Sequence, residues 1–192
     1  LIPFISTVKI IYQPMFCQQL GFFSNDIDLI NDEKILKKIL SLVKKKYSSF
    51  SYSFNNFNAE SIKLNFFSSN FKQVSKKTNL ILNLFDNYKN LHVNYSENTR
   101  RNLKKTILLD FRKSNDNLIF LNFYKKNIPS AANLKAKHFN KIYKLLENFK
   151  KRGNSEIILA YEKDILVAVI CTVKIFDTHT LLFNASIRLP QN

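Results

Sequence analysis

Apolar and polar positions change rhythm repeatedly along this chain, and each change marks an element. Val8–Tyr12 (VKIIY) alternates and is rich in β-branched residues, which predicts a strand closed by Pro14. Residues 14–24 (PMFCQQLGFFS) follow, with Gly21 inside them, and a glycine there predicts a bulge or a close backbone approach. Ile35, Leu36, Ile39, Leu40 and Val43 recur at helical spacing, predicting a helix capped by Asn31 or Asp32 and running to about Lys46. Residues 47–57, Ser61–Phe67 and Asn79–Leu84 read as three strands, and Asn87–Val93 as a short helix.

The second half is more regular. Ser96 is expected to cap a basic helix reaching about Arg112, with Leu103, Ile107, Leu108 and Phe111 on its apolar side. Leu118–Tyr124 fits either a helix or a strand, ended by Pro129. Leu134–Arg152 is a strongly amphipathic helix, with Phe139, Ile142, Tyr143, Leu145, Leu146 and Phe149 inward and Gly153 as its stop. Residues 156–161, 165–176 and 179–185 read as three strands joined by short turns, hence an antiparallel meander. The middle strand is apolar on both sides, so both of its faces are expected to be covered. The pattern predicts an α+β chain of two units, residues 1–95 and 96–192.

Composition changes this picture only in part. Among 192 residues, 18 Phe and 8 Tyr supply a core, so the chain is no disordered tail. The net charge of +16 implies attraction to polyanions or an anionic substrate, although a general preference for Lys and Asn inflates it. Two glycines exclude P-loop and dinucleotide fingerprints. Cys17 and Cys171 are too few for a disulfide framework or a zinc site and read as small buried hydrophobes in a reducing cytoplasm. His92, His138 and His179 are scattered and read as structural, so no metal is expected. No apolar run approaches the roughly 20 residues of a membrane span. The chain begins with Leu and is read as an internal piece of a longer protein.

Two stretches carry candidate chemistry. In NYSENTRRNLKKT, Arg100, Arg101, Lys104 and Lys105 fall within six residues behind Ser96. Like charges four apart on a helix cost about 0.2–0.5 kcal/mol per pair, and cations near a helix start oppose its dipole. Only 5 Arg stand against 25 Lys, yet two are adjacent here, which points to use of the guanidinium fork on phosphate or carboxylate. In CQQLG, the adjacent amides of Gln18 and Gln19 would point to opposite faces of a strand, one of them inward.

At these two motifs the chain resembles a family of GNAT-fold (acyl-CoA N-acyltransferase-like) proteins of Bacteroidetes-type bacteria. The resemblance rests on YQPMFCQQLGFFS, on TNLILNL followed by NYSENTRRNLKKT, and on the helix–helix–meander ending in LLFNAS. More distantly, the basic motif is similar to that of Fem-type aminoacyltransferases. The matched positions are Ser96, Asn98, Arg100, Arg101, Lys104 and Lys105, together with Gln18, Gln19, Leu20 and Gly21. The resemblance implies two GNAT-like lobes of mostly antiparallel mixed sheets flanked by helices. It implies acyl or aminoacyl transfer to an amine, with acyl-CoA or aminoacyl-tRNA as the anionic donor and no tightly held cofactor. It places a donor-binding loop after the strand at 179–185, where this chain reads NASIRLPQN, so the second lobe is read as incomplete at its C-terminal end. Catalysis in such sites is mainly orientation, and Tyr95 and Tyr161 are the candidate proton donors. A basic module binding RNA and a scaffold that has lost its chemistry are the alternatives.

Overall fold

The computed structural model describes residues 9–26, 28–29, 32–56, 58, 64–84, 87–129 and 133–187. It divides into two units, Leu1–Asn83 and Leu84–Asn192. The division therefore precedes the expected boundary at 95/96, and the basic motif lies well inside the second unit.

The first unit is built on a parallel strand pair. Strand β1 (Ile10–Tyr12) lies beside β2 (Ser49–Ser51), with Ile10 opposite Ser49 and Tyr12 opposite Ser51. Parallel neighbours need a long crossover, and helix α1 (Glu33–Lys46) lies within it. Asp32 caps α1, its Oδ1 accepting from Lys34 N at 2.7 Å and Ile35 N at 3.4 Å. Glu33 sits in the first turn and Lys44, Lys45 and Lys46 in the last, the order the helix dipole favours. Leu36 and Leu40 are buried with Phe66, and Phe22, Phe54 and Phe71 pack around them.

Of three strand expectations here, one is met in part and two fail. Among the described residues, pairing at 47–57 comprises β2 and one bridge, Leu20 to Phe54. Ser61–Lys63 lie outside the described residues, but Leu64–Asn70 is a helix, α2. Ser69 Oγ and Asn70 Nδ2 both donate to Phe66 O, so the Ser-Ser-Asn run secures a helical turn that brings Phe66 into the core. Asn79–Leu84 joins no strand, and Leu80, Ile81, Leu82 and Leu84 are exposed.

Gly21 does mark a close approach. A Cβ there would lie 2.1 Å from Asn58 Oδ1 and 2.6 Å from Asn55 Nδ2. Asn58 is wholly buried, and its amide accepts from Phe22 N at 2.8 Å and donates to Phe22 O at 3.2 Å. A buried side chain thus pairs the backbone as a neighbouring strand would.

In the second unit, helix α3 (Tyr88–Val93) is capped by Asn87, and α4 (Glu97–Lys105) by Ser96. A one-turn 3-10 helix, Thr106–Leu108, then leads into strand β3 (Asp110–Ser114). The basic helix therefore ends seven residues before the expected Arg112. Thr106 Oγ1 donates back to Leu103 O at 2.7 Å, and the residues beyond are taken by pairing with the next strand. Helix α5 (Asn117–Asn127) resolves the ambiguity of 118–124, with Asp116 as its cap and Ile128 closing it before Pro129. Helix α6 (Ala136–Lys151) follows, and Gly153 adopts φ +67 at its end.

The meander forms as expected: β4 (Ser155–Glu162), β5 (Ile165–Ile175) and β6 (Thr178–Ser186). With β3 they make a four-stranded antiparallel sheet in the order β3-β4-β5-β6. Lys163 and Asp164, at φ 48 and 64, form the two-residue turn between β4 and β5, the conformation that matches strand twist. The β5–β6 register shifts after Cys171, leaving Leu182 without an opposite residue.

The core lies on one face of this sheet. Val167, Val169, Cys171 and Val173 are buried there, with Ile157, Leu159 and Phe183 beside them. Phe120, Tyr124, Phe139, Ile142 and Leu146 of α5 and α6 are buried too, and Tyr124 stacks on Phe120 at 5.6 Å and meets Phe183 edge-on at 5.6 Å. On the other face, Leu166, Ala168, Ile170 and Thr172 are only half-buried, so equal cover on both faces of β5 is not found.

Two outcomes follow from this packing. Gly21→Ala should lower stability by about 1–3 kcal/mol, because the added methyl displaces the Asn55–Asn58 amides. Gly153→Ala, with open space around it, should cost only the left-handed backbone penalty of roughly 1 kcal/mol; urea midpoints compare the two. Burial pushes the Cys171 thiol up to about 11 from 9.0, so the folded chain holds a proton that the unfolded chain loses earlier. That contribution is complete below pH 9 and vanishes as pH rises toward 11, and burial raises Tyr124 in the same direction. Urea midpoints should fall across this window, and less steeply in Cys171→Ala.

Candidate functional site

The expected anion site is an elbow between α3 and α4. Asn94 N closes α3 on Leu91 O at 3.2 Å, and Tyr95 N bonds His92 O at 3.2 Å. Ser96 Oγ then accepts from Thr99 N at 3.2 Å and contacts Thr99 Oγ1 at 2.8 Å, starting α4 as the sequence predicts. The His92 ring lies 5.8 Å from Tyr88 and 6.1 Å from Tyr95, so Tyr95 is half-buried against a histidine.

The short helix revises the electrostatics of the motif. Arg100 and Arg101 are the fourth and fifth residues of α4, not members of its first turn, and Glu97 holds the start. Lys104 and Lys105 occupy the last turn, where the dipole favours cations. What remains unfavourable is the pairing of like charges four apart, Arg100 with Lys104 and Arg101 with Lys105.

The two arginines also part company. Arg100 is half-buried and donates from Nη1 to Val93 O at 3.3 Å, so it caps the carbonyl end of α3. Arg101 is exposed and donates from Nη2 to Asn98 Oδ1 at 3.0 Å, so Asn98 braces Arg101. Arg101, Lys104 and Lys105 have no carboxylate partner among the described residues. The elbow can therefore offer one steadied guanidinium and two exposed ammonium groups to an anion.

The glutamine motif is differently placed from its expectation. Gln18 and Gln19 are both exposed and neither lies in a strand, so no amide of the pair turns inward. The inward amide belongs to Gln13, which accepts from Ser53 N through Oε1 at 2.8 Å and donates from Nε2 to Cys17 O. The Tyr-Gln-Pro sequence was the available signal, because Pro14 stops the strand and leaves that side chain beside β2.

Tyr161 lies elsewhere, under a guanidinium. Arg112 sits 4.3 Å above its ring, bonded through Nε to Asp110 Oδ2 at 2.6 Å and through Nη2 to Asp164 Oδ1 at 3.4 Å. The Asp110 hydrogen bond above all, and then Asp164, holds the Arg112 charge more firmly than usual. Sequence reading missed Arg112 because it was assigned to a helix, where Asp110 and Tyr161 would not flank it.

An open cleft of about 570 Å³ at the start of α5 contains none of the expected site residues. Its polar groups are bound to one another: Asn117 Nδ2 donates to Glu147 Oε1 at 2.6 Å, and Lys150 Nζ to Asn115 O at 2.6 Å. His138 Nδ1 accepts from Lys135 N at 3.0 Å, and partial burial, then Lys137, Lys141 and Lys135, hold its pKa below the ordinary value. Among the described residues, no three His, Cys, Asp or Glu side chains gather as a metal site would need. No helix among them is long and apolar enough to cross a membrane.

Compared with models of known families, with curated proteins and with solved structures, the chain finds no match.

The unequal arginines give a direct test. Arg100→Ala should cost about 0.5–1.5 kcal/mol through loss of the Val93 bond, whereas Arg101→Ala should stay within about 0.5 kcal/mol. Urea denaturation of the two single variants measures the difference.

Proposed function

We propose that this chain belongs to an N-acyltransferase of the GNAT type, moving an acyl or aminoacyl group from an anionic donor to an amine. The observation that carries this reading is the order of the second unit from β3 onward: a strand, two helices, then a three-strand antiparallel meander, with buried side chains of both helices against one sheet face. Two helices precede the meander, as in the sequence resemblance, with α5 standing where the basic helix was expected. Arg101, Lys104 and Lys105 add cations without carboxylate partners among the described residues, suited to the pyrophosphate of acyl-CoA or the backbone of an aminoacyl-tRNA. The residues that would carry the donor loop follow β6, and 188–192 lie outside the described residues.

In this reading the protein's part in the reaction is positional. It holds the donor carbonyl against the amine, and backbone N–H groups stabilise the oxyanion as the amine adds. Tyr161, held under Arg112, is placed more firmly than Tyr95 and is the better candidate to return a proton to the leaving group.

The same free cations support a second reading, a basic surface that binds RNA without chemistry. The two readings separate in one set of titrations. Acetyl-CoA should raise the melting temperature, since a ligand at 100 times its Kd adds about 2.7 kcal/mol of apparent stability. Charge reversal of Lys104 and Lys105 should abolish that rise. If acetyl-CoA leaves melting unchanged while single-stranded RNA binds with a steep salt dependence, about 0.7 per phosphate contact, the acyl-CoA reading is lost to the second. Binding of neither leaves a scaffold.

A further inference from the structure

Two stretches of the first unit carry no charged residue, although the exposed Lys9 and Lys46 flank them. Residues 10–25 contain no Lys, Arg, Asp or Glu, and neither do residues 47–59. The two stretches are neighbours in space. β1 pairs with β2, Leu20 bridges to Phe54, and Gln13 accepts from Ser53 N. Tyr12 lies opposite Ser51 and Leu20 opposite Phe54, three residues further along, so the ends of the loop are held about 10 Å apart.

Such a stretch would ordinarily be neutral because it is buried, but much of this one faces water. Tyr12 is 71% exposed and Phe23 78%, and Met15, Gln18 and Gln19 are exposed as well. The backbone beneath them is fixed at several points. Cys17 N bonds Pro14 O at 3.1 Å, Gln13 spans Cys17 and Ser53, and Gly21 is wedged against Asn55 and Asn58. Gln18 and Gln19 have no hydrogen-bond partner among the described residues.

We infer that this loop is a binding surface for a neutral saccharide. Each glutamine amide offers donors and an acceptor side by side, which suits the adjacent hydroxyls of a sugar ring. Tyr12 and Phe23 offer apolar ring faces to its C–H side. Absence of charge within the two stretches matches an uncharged ligand, whereas a nucleic acid or an acidic peptide would find its cations elsewhere on the chain. A fixed backbone lowers the entropy lost on binding. The inference does not rest on the transferase reading and survives its failure.

Cys17 provides the reporter. Against the expectation of two buried thiols, it is exposed in the loop, whereas Cys171 is buried with its thiol pushed up to about 11, so a maleimide at neutral pH should add once, at Cys17. The alkylation rate of the whole chain is measured by intact mass with maltotriose, cellotriose or chitotriose at millimolar concentration. At ten times its Kd a bound sugar should slow the reaction roughly tenfold. Gln18→Ala/Gln19→Ala should lose that protection without a change in melting temperature, and Tyr12→Ala should weaken it separately. The proposal is overturned if none of the three sugars protects Cys17. It is overturned equally if the protection persists in both variants, or if an uncharged, end-capped tripeptide protects and no sugar does.

Discussion

The contact of Phe120 and Tyr124 with Phe183 is the interaction on which the second unit depends. It fastens α5 to the strand at the far edge of the sheet, while α6 brings Ile142 and Leu146 down beside it. Each fully buried side chain of this size is worth about 1.5–3 kcal/mol, and the cluster can form only if β4, β5 and β6 fold back on one another in register. The sheet then imposes its own terms on its neighbours. β4 takes Asp110–Ser114 as a partner strand, and the basic helix must stop early to release those residues.

That priority explains which elements were legible. Asp32, Asn87, Ser96 and Asp116 cap helices through short local bonds, and local bonds can be read from a few residues. The meander was legible because alternation and two-residue turns are also local. Phe111 and Arg112 were misread as helical because Phe111 continues the apolar spacing of Leu103 and Ile107; only pairing with Ala160 and Leu159, about 50 residues away, decides otherwise. The strand expected through Leu64–Phe67 failed for a similar reason: burial of Phe66 against Leu36 and Leu40 overrode alternation.

The candidate site was legible in its residues but not in its electrostatics. The motif held the right helix cap, yet the supposed cost of its cations came from a helix drawn too long. With α4 ending at Lys105, two of the four charges are where a helix accepts them, and Arg100 is fastened to the preceding helix. The difference between Arg100 and Arg101, one a brace and one free of the fold's needs, could not be read from two identical adjacent letters.

Asn79–Leu84 has a further consequence. Its six residues carry no charge and no proline, and Leu80 and Ile81 are 90% and 79% exposed. A sequence that favours extended pairing but joins no strand is adhesive toward its own kind. Association of copies of this chain is expected to begin at that hexapeptide, against the repulsion of its positive charges, and a single lysine at position 81 would be the simplest gatekeeper.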